Sequence, residues 1–185
     1  MLAWHHMWPG ELATDLCDRI ICDALQLPMV DGTIGHGGVT VVDQTFRRSR
    51  LRWLPRSWTF IRGEMETYIR AANAATFGFD LSHMPDAQFT EYAADDAGEY
   101  KPHTDNSWIN KKPYDRKLSV VVQLSNPADY DGCDLTLAED QPDQARLRTR
   151  GTVIVFPSFL KHAVTPCLTG VRYSLVGWML GPKFR

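Results

Sequence analysis

After Pro85 the chain breaks into short runs of β-prone residues, each closed by a turn signal, and this punctuation limits the fold more than any other feature. The runs are Gln88–Ala93, Glu99–His103, Leu118–Leu124, Asp134–Ala138, Ala145–Arg148, Thr152–Phe156 and Val171–Met179. Asp95-Asp96-Ala97-Gly98, Asn126-Pro127, Asp131-Gly132, Arg150-Gly151 and Thr169-Gly170 supply turns between them. Strands at that spacing predict an antiparallel sandwich or barrel, here a double-sheet jelly roll.

The first third reads differently. Leu12, Leu16, Ile20, Ile21, Ala24 and Leu25 recur at helical spacing and give one apolar face. The glycine-rich stretch from Val30 to Gly38 lacks the Lys-Ser/Thr ending of a phosphate loop and reads as a mobile turn. Residues 47–53 read as a strand or sheet edge, with Arg48, Arg50 and Arg52 outward and Leu51 and Trp53 inward. A second helix is expected from Ser57 as N-cap through Trp58, Ile61, Met65, Ile69 and Ala72, ending near Phe77-Gly78. The expectation is an α+β, mainly β domain over residues 1–185: a helical and irregular part over 1–85, covering a jelly-roll core over 86–182.

Composition narrows the class. With 44% hydrophobic and 23% charged residues the chain is ordinary globular protein, and a net charge of −2 supplies no global basic field for nucleic acid. No apolar run is long enough to cross a bilayer, and the N-terminus lacks the basic-then-apolar pattern of a leader, so a cytoplasmic protein is expected. Cys17, Cys22, Cys133 and Cys167 form no C-x-x-C pair and read as reduced thiols.

The chemistry centres on Tyr100-Lys-Pro-His103-Thr-Asp105. On a strand, His103 and Asp105 leave the same face and can present an imidazole nitrogen and a carboxylate oxygen to one cation. His162 follows the apolar run Val153–Phe156 in the same β region. Two histidines and one carboxylate with open positions form the facial triad of non-haem Fe(II) oxygenases, whereas zinc more often takes a closed tetrahedral set. Ten residues on, Arg172 and Ser174 share a strand face and can hold one carboxylate through a guanidinium fork and a hydroxyl. The apolar flank of Val171, Leu175, Val176 and Trp178 marks a central strand, where a buried arginine needs a partner.

The order His-x-Asp, distal His, Arg-x-Ser resembles the Fe(II)/2-oxoglutarate-dependent dioxygenases, and within them the bacterial and viral members of the prolyl 4-hydroxylase branch. Tyr92 and Tyr100 resemble that family's tyrosines before the His-x-Asp. The stretch Tyr130-Asp131-Gly132-Cys133-Asp134-Leu135 resembles its strand–turn, with Cys133 in place of the second glycine. Val153–Ser158 before His162, and Trp178 after Arg172, fit as well. The resemblance covers roughly residues 88–180 and implies a double-stranded β-helix core. It implies Fe(II) on His103, Asp105 and His162, and the distal carboxylate of 2-oxoglutarate on Arg172 and Ser174, with Tyr92 as a further contact. Gln123 stands where relatives often carry a tyrosine facing the same pocket, and many animal collagen-type relatives use Lys at the place of Arg172. Asp105 fills the coordination place that halogenating relatives leave open, which favours hydroxylation.

The resemblance thus implies C–H hydroxylation driven by O2 and 2-oxoglutarate, with release of succinate and carbon dioxide and ascorbate as a reductant. The expected substrate is a peptidyl residue, proline foremost. A free amino acid, small metabolite or nucleic acid with the same cofactors stands as the alternative, as does a catalytically silent binding jelly roll. Arg47, Arg48, Arg50 and Arg52 beside Trp53 and Trp58 raise the nucleic-acid option, but the slightly acidic chain favours a solvated strand face instead. Segments 31–46 and 106–116 are expected to close over the barrel mouth as lids.

Overall fold

The computed structural model describes residues 4–36, 39–106, 108, 111–138 and 141–184. The first half comprises β1 (His6–Trp8), α1 (Thr14–Leu25), β2 (Val30–Asp31), β3 (Ile34–His36), β4 (Val39–Val41), β5 (Arg47–Arg48), β6 (Arg50–Trp53) and α2 (Thr59–Ala72). Then come β7 (Ala87–Ala93), β8 (Glu99–His103), β9 (Tyr114–Gln123), β10 (Tyr130–Gly132) and β11 (Leu135–Leu137). The chain closes with α3 (Gln144–Leu147), β12 (Val153–Pro157), β13 (His162–Val164) and β14 (Cys167–Pro182).

An eight-stranded sheet runs β1-β12-β9-β14-β7-β6-β2 with β10 on β14, and a four-stranded sheet runs β11-β13-β8-β5. Every pairing among the described residues is antiparallel, as a jelly roll requires. Strand alternation decides what each face meets. On β9, Leu118, Val120 and Val122 join the core under the helices, while Ser119, Val121 and Gln123 turn to the interior between the sheets. On β12, Val153 and Val155 face the helices, and Ile154 and Phe156 face the smaller sheet. The central strands are therefore buried on both sides, unlike the single wet face of a typical antiparallel sheet.

The helices close the outer face. Cys17, Ile20 and Ala24 of α1 and Ile61, Met65, Ile69 and Ala72 of α2 form one buried cluster with Phe89, Leu118, Val120 and Leu175. Each large apolar side chain buried there stabilises the fold by about 1.5–3 kcal/mol. The helical chain continues from α2 through a π-helical turn over Asn73–Phe77 and stops at Gly78, whose φ of 67° is the left-handed cap expected of glycine.

Several elements depart from the sequence reading. Ala145–Arg148 lies not in a strand but around the short helix α3, because Asp143 caps it by accepting from the Ala145 N–H at 3.0 Å. Helix α2 starts at Thr59 with Trp58 at the N-cap, and Ser57 makes no cap bond. The stretch read as a mobile turn forms the β3–β4 pair with Gly35 opposite Thr40; Gly37 and Gly38 lie outside the described residues. Trp53 lines the same cavity as Leu51, on the inward face, but remains 47% exposed at its rim.

Cys133 and Cys167 are joined in a disulfide, which corrects the reading of four reduced thiols. Their sequence separation of 34 hides the contact, and the pairing of Gly132 with Cys167 across β10 and β14 creates it. Cys17 and Cys22 are free thiols. No helix among the described residues is long and apolar enough to cross a membrane.

Candidate active site

Between the sheets lies a cavity of about 560 Å³, and three of the residues singled out from sequence meet on its wall. One nitrogen from His103, one from His162 and a carboxylate oxygen of Asp105 all lie within 4.8 Å of one another. His103, at the end of β8, sits directly opposite His162, the first residue of β13, so the ladder register brings the imidazoles together. Asp105 is not on the strand, as its spacing from His103 had predicted. It lies two residues beyond β8, where the Ser158 carbonyl accepts the N–H groups of Asp105 and Asn106 at 2.8 and 2.9 Å. The turn after β12 thereby aims the carboxylate at the histidines.

Each donor is oriented by a second bond. His103 Nδ1 lies 2.8 Å from the Lys101 carbonyl and His162 Nδ1 lies 2.9 Å from the Leu160 carbonyl. A carbonyl only accepts, so both Nδ1 atoms carry the proton and both Nε2 lone pairs are free. Those Nε2 atoms stand 3.9 Å and 3.4 Å from Asp105 oxygens. Ser119 Oγ donates to Asp105 Oδ2 at 2.6 Å and contacts Ser158 Oγ at 2.9 Å. Burial, reinforced by His162, pushes the His103 imidazole down to about 3. Burial by itself would raise the Asp105 carboxyl, but His162, His103, Arg116 and the Ser119 hydroxyl bring it down to about 2. Near neutral pH His103 is thus a neutral donor and Asp105 an ionised one. Two imidazoles and one carboxylate suit a non-haem iron ion, and the donor set, with the carbonyl and hydroxyl bonds that orient it, fits that group.

Arg172, Ser174, Val176 and Trp178 leave β14 on the cavity side at every second residue. Arg172 is only 1% exposed. Its Nε donates to Gln123 Oε1 at 2.9 Å, and no carboxylate among the described residues forms an ion pair with it. The partner demanded by its burial is therefore a neutral amide, which leaves the positive charge available to an anion. Tyr92, across from Arg172 in the β7–β14 ladder, has its ring 5.9 Å from that guanidinium. Burial raises the Tyr92 phenol above its ordinary value, so it stays protonated and can donate.

Ser119 and Arg116 escaped the sequence reading, while Gln123 and Arg47 join the site in roles that the sequence leaves open. Ser119 and Gln123 sit four residues apart on the cavity face of β9, a signal that strand alternation carries once the face is known. Arg116 lies 3.9 Å over the Trp178 ring. Arg47 stacks 4.4 Å over the Tyr100 ring, which itself stacks on His103 at 3.5 Å. From segments 31–46 and 106–116, Thr33, Ile34, Thr40, Asn106 and Lys112 line the cavity; Ser107, Ile109 and Asn110 lie outside the described residues.

Comparison with known proteins places these residues in context. A family model described as the 2OG-Fe(II) oxygenase superfamily matches residues 87–180, the stretch that holds all six predicted site residues. A PKHD-type hydroxylase of Crocosphaera subtropica is 29% identical over 98 residues, covering 52% of this chain and 43% of that protein. The chain spans less than half the length of the curated relatives it matches. A viral collagen prolyl hydroxylase from Paramecium Bursaria Chlorella virus-1, solved with 2OG, superposes with a TM-score of 0.69 at 17% identity over 97% of both chains. A prolyl hydroxylase from Trichoplax adhaerens, solved with a hypoxia inducible factor peptide fragment, gives 0.74 at 16% identity over 96% of this chain and 84% of its own. Those likenesses establish the double-stranded β-helix fold.

Proposed function

The chain belongs to the 2OG-Fe(II) oxygenase superfamily, and on that premise we propose that it hydroxylates a peptidyl residue, proline foremost, releasing succinate and carbon dioxide. The observation that carries this reading is the convergence of His103, Asp105 and His162 on the wall of a cavity that also holds an uncompensated Arg172. His103, Asp105 and His162 would hold Fe(II). Arg172 and Ser174 would take the distal carboxylate of 2-oxoglutarate, and Tyr92 would donate a further hydrogen bond to the co-substrate. Bound iron supplies the activation of O2, coupled to oxidative decarboxylation of the 2-oxo acid.

The protein's own residues do the positioning. The Lys101 and Leu160 carbonyls and the Ser119 hydroxyl fix the three donors, so little reorganisation is needed at turnover. Val121, Leu135, Val164 and Val176 give the interior an apolar lining beside the donors. A peptide substrate is supported by the structural neighbours, a viral collagen prolyl hydroxylase and a prolyl hydroxylase solved with a peptide fragment.

The test is succinate formation from 2-oxoglutarate by anaerobically iron-loaded protein kept reduced with ascorbate, with and without O2, and with proline-containing peptides against free amino acids. Oxygen-dependent succinate that peptides stimulate and that His162→Ala abolishes is the expected result. Bound iron without succinate from any substrate overturns the reading in favour of a silent binding module.

A further inference from the structure

Residues 47–52 hold four arginines, and the structure treats one of them differently. Arg48 pairs with Glu99 at 2.7 Å, while Arg50 and Arg52 each pair with Glu91 at 2.8 Å. Arg47 is turned inward, 7% exposed, and lines the cavity. Its Nε donates to Ser49 Oγ at 2.8 Å, its Nη1 donates to the Thr33 carbonyl at 3.1 Å, and its guanidinium covers the Tyr100 ring. The guanidinium also reaches the Tyr92 phenol; all of these partners are neutral, and no carboxylate among the described residues forms an ion pair with it.

The whole cavity repeats the imbalance. Its charged lining among the described residues consists of Arg47, Lys112, Arg116 and Arg172 against Asp86 and Asp105. Both acids act on Arg116. A divalent iron and a doubly charged 2-oxoglutarate add no net charge, so the lining keeps its positive excess when both are bound. Arg47 is a buried part of that excess with no carboxylate paired to it, in a chain whose net charge is −2. An uncompensated buried charge is costly, and a ligand carboxylate would relieve that cost.

Resting on the oxygenase reading above, we propose that Arg47 is a substrate-reading residue and that the protein takes an acidic peptide, whose Asp or Glu carboxylate meets the Arg47 guanidinium. Arg47 and the proposed metal ligand His103 both pack on the Tyr100 ring, at 4.4 and 3.5 Å from its centroid. An extended peptide advances roughly 3.3 Å per residue, so the acid belongs one or two positions from the residue that reacts. Arg47 lies outside the segment shared with the family model, residues 87–180, so substrate selection here is added by the N-terminal part of this chain.

The experiment compares proline peptides that differ only in carrying Glu, Gln or Lys at the flanking positions. Their affinity for the full chain loaded with Fe(II) and 2-oxoglutarate is read anaerobically by fluorescence anisotropy. The Glu peptide is expected to bind roughly tenfold or more tighter than the Gln peptide, the worth of a charge-assisted bond, with the Lys peptide weakest. The preference should shrink as salt is raised. Arg47→Gln should bring the Glu/Gln ratio close to one, and Arg47→Lys should keep part of it. Equal binding of the three peptides to the unmodified protein overturns the proposal without any variant. So does an Arg47→Gln protein that keeps the ratio and instead needs more 2-oxoglutarate. Absence of iron-dependent succinate in the unmodified protein counts against the oxygenase reading itself, and is separate from the peptide ratio.

Discussion

The Arg172 guanidinium is held by Gln123: its Nε donates to Gln123 Oε1 at 2.9 Å between neighbouring strands of the larger sheet. The amide fixes the guanidinium without neutralising it, which an acid at the same place would do. Gln123→Leu keeps the volume and removes the acceptor. It is expected to raise the KM for 2-oxoglutarate roughly tenfold, the effect of losing a hydrogen bond to a charged group, with a smaller change in kcat. Gln123→Glu should raise it further, because its carboxylate competes with that of the co-substrate. Initial rates of succinate formation over a range of 2-oxoglutarate concentrations check both.

Of the three proposed iron donors, Ser119 reaches only Asp105, whose Oδ2 it meets at 2.6 Å. Ser119→Ala should therefore weaken Fe(II) binding about 10–100-fold, as loss of a bond that orients a metal ligand does, while leaving the fold intact. Equilibrium dialysis against ferrous iron under argon measures it, beside circular dichroism of the same sample.

The Cys133–Cys167 bridge closes a loop of 34 residues across the smaller sheet's connection to β14. Chain-entropy arguments give about 3–4 kcal/mol of stabilisation for such a loop, so reduction should lower the Tm by roughly 10 °C for a chain of this size. Thiol titration in denaturant should find Cys17 and Cys22 reactive before reduction and all four cysteines after it.

Two glycines make opposite predictions. Gly170 has a φ of 67°, and a Cβ there would overlap the Asp129 carbonyl oxygen. Gly170→Ala should cost at least about 1–3 kcal/mol. Gly63 lies inside α2, and a Cβ added there meets nothing within 4 Å. Gly63→Ala should stabilise by up to about 1 kcal/mol. Urea unfolding midpoints separate the two.

Much was legible in the one-dimensional pattern because it depends on local periodicity. Alternation and turn residues located β7, β8, β9, β12 and β14, and the two amphipathic faces located α1 and α2. The site residues were legible for a related reason. Arg172 and Ser174 need only period-two spacing to share a face, and His103, Asp105 and His162 are side chains whose chemistry narrows their use. Asp143 shows where local reading fails, since a four-residue β-prone run yields to an adjacent helix cap.

What only the tertiary structure decided is who faces whom across long sequence separations. The β8–β13 register set His103 against His162, and the turn at Ser158 aimed Asp105 at both. Sheet order set Gln123 on Arg172 and brought Cys133 to Cys167. The four arginines of residues 47–52 look alike in sequence, yet pairing of β6 with β7 matches Arg50 and Arg52 to Glu91, while pairing of β5 with β8 lays Arg47 over Tyr100. A charge's role depends on its counter-ion and its burial, and the fold assigns both.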